Sequence, residues 1–122
     1  MPREADFWSA VEMIRDGDAR LKPQAYRFVM ETLDFTLQHI GKRRHVTASE
    51  LLDGFCGYAR RRFGLLSATV LESWGINSTQ DVGRAVFQLV DARILSRLDS
   101  DRPEDFDVEY ELATRLEAGY LE

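Results

Sequence analysis

The sequence predicts a mostly α fold of five helices followed by a C-terminal β-hairpin, and three observations carry that prediction. Apolar residues recur at three- and four-residue spacing as far as Ile94. Glycines and cap-forming residues cut that pattern into lengths typical of helices. Beyond Ile94 the period shortens, and Val108, Tyr110 and Leu112 alternate with Asp107, Glu109 and Glu111, as on a strand with one buried face.

The elements follow in order. Phe7, Val11 and Ile14 mark a first helix, stopped at Gly17 within the polar Asp16-Gly17-Asp18 turn. Pro23 then suits a first helical position, where its missing N–H costs nothing. From there Tyr26, Val29, Met30, Leu33, Leu37 and Ile40 form one stripe that ends at Gly41. The third helix has the clearest start. Thr47 and Glu50 have capping-box spacing, and Val46 and Leu51 stand at the positions of a hydrophobic staple. Leu51, Leu52, Phe55, Ala59 and Phe63 carry its apolar face to Gly64.

A short helix through Val70, Leu71 and Trp74 closes at Gly75. Ser78 with Asp81 caps a fifth helix bearing Val82, Val86, Leu89 and Val90. Residues 95–98 read as a first strand, and Pro103 with its acidic neighbours reads as a loop tip at 99–106. The pattern leaves residues 113–122 open between a short helix and a loose tail.

Size and composition narrow the classes of function. The 122 residues suit one domain, with 44% hydrophobic and 30% charged residues in a globular balance. The single cysteine, Cys56, allows no internal disulfide, and the first seven residues do not read as a signal peptide. No apolar run is long enough to span a bilayer. The expected setting is cytoplasmic, without membrane contact. A net charge of −5 opposes non-specific attraction to nucleic acid.

Three helices over residues 47–93 and then a hairpin give a winged-helix-like order, with Gly75-Ile76-Asn77 as the turn. The run from Val86 to Arg97 resembles the helix-to-wing junction of MarR-type and ArsR-type regulators. Asp99-Ser100-Asp101-Arg102 and Tyr110-Glu111-Leu112 are similar to their wing and return strand. The resemblance covers residues 47–113, with 1–41 as an added helix pair and 114–122 as a tail. A simple helix-turn-helix register puts Asp81 and Arg84 at apolar positions, whereas a turn one residue longer brings Val82 and Ala85 into place. The whole chain also resembles a small bacterial family with no assigned activity. That likeness rests on His45-Val46-Thr47, Glu50-Leu51-Leu52, Phe63-Gly64, Trp74-Gly75-Ile76, Asp81-Val82-Gly83 and Glu104-Asp105-Phe106.

The resemblance implies DNA binding, and the charges argue against it. A recognition helix here offers Ser78, Thr79, Gln80, Arg84, Gln88 and Arg93 as donors, opposed by Asp81 and Asp91. The hairpin supplies Arg97 and Arg102 against Asp99, Asp101, Glu104, Asp105, Asp107, Glu109 and Glu111, a wing that would repel phosphate. Lys42, Arg43 and Arg44 lie about 24 Å from Arg60, Arg61 and Arg62, at 1.5 Å per helical residue. Far apart, the two clusters do not form one compact patch, and Arg60 to Arg62 are read first as cations of a last helical turn that complement its dipole, ahead of a partner-binding role.

Chemistry has little to build on. His39, His45 and Cys56 lack zinc spacing, Cys56 reads as a core residue, and no phosphate-cradling glycine loop exists. Neither a metal nor a cofactor is expected. The leading expectation is therefore a non-enzymatic protein-interaction module, whose Asp99, Asp101, Glu104, Asp105 and Asp107 meet a basic partner. The alternative is a DNA-binding regulator, dimerised through Phe7, Trp8 and Val11 or through Leu116, Tyr120 and Leu121. A third reading is a small enzyme using His45 with nearby carboxylates.

Overall fold

The first strong helix start forms as its residues dictate. In a computed structural model that describes residues 3–41, 46–95, 102–108 and 110–121, with side chains only as far as 116 in the last segment, Thr47 and Glu50 close a reciprocal cap. The Thr47 hydroxyl accepts from the Glu50 N–H at 3.1 Å, and the Glu50 carboxylate accepts from the Thr47 N–H at 3.0 Å. Ser78 caps in the same way, accepting from the Asp81 N–H at 3.2 Å, while Asp81 accepts from the Asn77 N–H at 2.9 Å.

Six α-helices occur among the described residues: α1 (Glu4–Gly17), α2 (Pro23–Ile40), α3 (Ala48–Phe63), α4 (Ser67–Ser73), α5 (Thr79–Asp91) and α6 (Leu112–Leu121). Two 3₁₀ turns, Gly64–Leu66 and Pro103–Phe106, join them. The antiparallel pair α2 and α3 forms the centre, with α5 and α1 against α2 and with α6 and α4 against α3.

Phe28 is the hub of an aromatic cluster, with ring centroids 5.2 Å from Phe55, 5.1 Å from Tyr58, 5.6 Å from Phe63 and 5.6 Å from Trp74. The buried face of α2 continues through Thr32 and Thr36, leaving Leu33, Leu37 and Ile40 only partly buried. The reason lies across the interface. A β-carbon on Gly54 would stand 1.9 Å from the Thr36 hydroxyl, so the two helices approach closely only because α3 carries glycine there.

A second close approach fixes the α4–α5 corner. Gly75 has φ +92°, and a β-carbon there would lie 2.4 Å from the Arg20 carbonyl oxygen. Next to it, the Lys22 N–H donates to the Trp74 carbonyl at 2.9 Å, tying the α1–α2 connection to this turn.

The predicted β-hairpin is not found among the described residues, which hold no strand, and the winged-helix-like order goes with it. Leu95 lies in the turn that follows α5, where both the Ile94 and the Leu95 N–H groups donate to the Leu89 carbonyl and Arg93 takes φ 63°. Residues 96–101 and Glu109 lie outside the described residues. The alternation from Asp107 to Leu112 is two separate anchorings. Phe106 plugs into α5 on one side, and Leu112 with Leu116, four residues apart, forms the buried face of α6 on the other. The open choice over residues 113–122 resolves to helix as far as Leu121.

Candidate interaction surfaces

The helix predicted to read DNA is covered at its N-terminal half. Thr79 is 2% exposed, and its hydroxyl donates to the Phe106 carbonyl at 2.7 Å. The Phe106 ring is fully buried and lies edge-on to Phe87 at 6.0 Å. A β-carbon on Gly83 would stand 2.6 Å from that ring. Ser78 is spent on its cap, while Gln80 and Arg93 remain exposed.

Arg84 and Gln88 are drawn into an internal polar network. Gln88 accepts from the Tyr26 hydroxyl at 2.7 Å and donates to Asp18 at 3.2 Å, while Arg84 lies 3.5 Å from the same carboxylate. Asp18 also accepts from the Arg20 N–H at 3.1 Å. That backbone hydrogen bond holds the Asp18 carboxyl below the usual aspartate value; burial opposes it, and the charges of Arg20 and Arg84 assist. Burial pushes the Tyr26 phenol up, with the Asp18 charge adding to it. These side chains join the α1–α2 turn to α5.

The acidic segment keeps its exposure but not its wing. Glu104, Asp105 and Asp107 are exposed around the Phe106 plug, and Asp105 accepts from the Arg102 N–H at 2.8 Å. Asp99, Asp101 and Arg97 lie outside the described residues, as do Lys42, Arg43, Arg44 and His45. Among residues proposed for dimerisation, Phe7, Val11 and Leu116 are buried in the core, and Trp8 packs edge-on to Phe7 at 4.8 Å.

A surface that the sequence did not single out stands at the α3–α4 junction. Leu65 and Leu66 are 74% and 62% exposed at consecutive positions of the 3₁₀ turn. Water contact on two adjacent leucines forgoes about 1.5–3 kcal/mol for each side chain that burial would return. The turn is firmly built: the Ser67 hydroxyl makes hydrogen-bond contacts with the carbonyls of Gly64 at 2.6 Å and Ala59 at 3.0 Å.

Basic side chains precede these leucines. Arg62 is committed, pairing with Glu31 at 2.7 Å and lying over the rings of Tyr58 and Phe63. Arg61 is exposed and Arg60 half-exposed, and neither has an ion-pair partner among the described residues. On the other side, Ala68 leads into a groove of about 220 Å³ between α4 and α6, lined by Leu71, Ile76, Leu112 and Leu116, with Glu72 at its edge.

The nucleophilic and metal-ligating side chains show no comparable focus. Cys56 is fully buried, and burial pushes its thiol up, against the weaker pull of Arg115 and Arg60. Arg115 pairs with Asp53 and lies over the Tyr110 ring. His39 is exposed, its ring 4.3 Å from Phe35. Among the described residues no three His, Cys, Asp or Glu side chains gather where they could hold a metal ion, and no helix is long and apolar enough to cross a membrane. No family model, curated protein or solved structure matches this chain.

Proposed function

We propose that this chain is a non-enzymatic protein-interaction module whose primary contact is the Leu65–Leu66 edge. One observation carries the reading: two consecutive leucines stand in solvent on a turn held rigid by Ser67. Scattered surface leucines are ordinary, but an adjacent pair ending two residues before Ala68, which lines an apolar groove, exposes more apolar surface in one place than a lone leucine does. The exposed carboxylates Glu104 and Asp107 give a second contact suited to a basic surface, and they contribute more to encounter rate than to affinity.

The DNA-binding reading fares worse. Thr79, Arg84 and Gln88 would each have to break an internal hydrogen bond or ion pair before touching a base. A catalytic reading through His45 has no described geometry behind it.

The test is photo-crosslinking with a benzophenone side chain at position 66 and, as a control, at the exposed position 24 on α2. Any protein captured is then purified and mixed with the unmodified chain. The expected result is a stoichiometric complex for a protein captured from position 66 and not from 24. Failure of every captured protein to bind in the purified mixture would overturn the reading, and tight, salt-sensitive binding of a random DNA duplex would put the nucleic-acid reading in its place.

A further inference from the structure

We infer that the Leu65–Leu66 edge takes an acidic amphipathic helix of a protein partner, with Arg60 and Arg61 meeting its carboxylates. This rests on the interaction reading above and names the chemistry of the partner at the same site.

Size sets the kind of partner. A stable globular contact covers about 800 Å² on each side, far more than two leucines and one narrow groove provide. A single helix laid across a surface needs less, because its anchors fall at positions i, i+3 or i+4, and i+7. The edge is spaced to receive such anchors. Leu65 and Ala68 are three residues apart, and beyond them the groove between α4 and α6 is floored by Leu71 and Leu116. One apolar residue of the partner rests on Leu65 and Leu66, and the next enters the groove.

Charge sets its sign. Arg60 and Arg61 carry positive charge that no carboxylate among the described residues neutralises. The chain as a whole is negative, at −5, so this end of α3 is a local positive site on an acidic molecule. The C-terminal end of α3 adds the negative end of a helix dipole, which the arginines already offset. A basic helix would meet those arginines with like charge, whereas an acidic one places the carboxylates at its α3 end beside them and meets Glu72, at the groove, with its apolar stripe and uncharged flanks.

The experiment is selection from a displayed library of amphipathic helices, in which the apolar stripe is fixed and every flanking position varies between Glu, Lys and Gln. The 122-residue chain is the bait. We expect the enriched helices to carry Glu flanks at the α3 end and to lose at least tenfold in affinity for the Leu65→Ser/Leu66→Ser variant. The Arg60→Glu/Arg61→Glu variant should select Lys flanks instead. Circular dichroism of both variants establishes that they fold.

Three outcomes overturn the proposal: enrichment of Lys flanks by the unmodified chain, enrichment of helices that bind both variants equally well, or no enrichment at all. Pairing of two copies of this chain at the edge, detected by sedimentation and lost on Leu65→Ser/Leu66→Ser, would also overturn it. The wider interaction reading fails separately, when no crosslinked protein binds the purified chain.

Discussion

The Phe106 ring occupies the space that a side chain on Gly83 would fill, with ring carbons 2.6 and 2.8 Å from where that β-carbon would stand. A glycine inside a helix costs about 1 kcal/mol against alanine. Here it admits the one aromatic plug that anchors the acidic segment to α5, with the Thr79 hydroxyl holding the carbonyl of the same residue. The contact converts what would be a free helix face into core.

Gly83→Ala should therefore invert the usual helix preference. Overpacking costs about 1–3 kcal/mol, which exceeds the propensity gain. Denaturant unfolding should show a lowered midpoint. Phe106→Leu should shrink the penalty, giving a non-additive cycle. Additive effects would place the ring elsewhere.

Two glycines on α3 should separate in sign. Gly54→Ala drives a β-carbon into the Thr36 hydroxyl at 1.9 Å, and should destabilise by about 1–3 kcal/mol. Gly57→Ala meets only Phe35 at an ordinary 3.8 Å, and should stabilise by about 0.5–1 kcal/mol. Thermal melts of the two variants check both signs. Equal destabilisation would mean that the α2–α3 interface is tight along its whole length.

Asp18 should give stability that disappears in acid. Its folded-state pKa lies below the unfolded value of about 3.9, so the folded chain binds fewer protons there. The contribution is complete above the unfolded pKa and is lost as pH falls through the folded one. The stability gap between the unmodified chain and Asp18→Asn should be widest near neutrality and close below about pH 4. A gap independent of pH would remove the ionised carboxylate from the account.

Local chemistry was legible, and long-range partnership was not. Thr47 with Glu50, Ser78 with Asp81, Pro23 and Gly41 announce helix ends because caps act within four residues. The stripe on α2 packs against the core along its length, but beyond Met30 only partly, and the burial of Thr36 beside it was not legible because it depends on the glycine across the interface on α3. The hairpin failed for the same reason: a short alternation is satisfied equally by two anchors, Phe106 and Leu112, that serve different helices. Thr79 looked like a surface donor because its acceptor is 27 residues away. Leu65 and Leu66 carried no signal as a contact, because in sequence an exposed leucine reads like a buried one.

The interaction edge is tested most directly by titrating a partner identified from position 66 against the unmodified chain and the Leu65→Ser/Leu66→Ser variant. Both side chains are largely in water, so the melting temperature should not fall. Removing two buried anchors from the complex should raise Kd by about tenfold or more, with each tenfold equal to about 1.4 kcal/mol. An unchanged Kd with an unchanged melting temperature would contradict the claim that these leucines are the docking point.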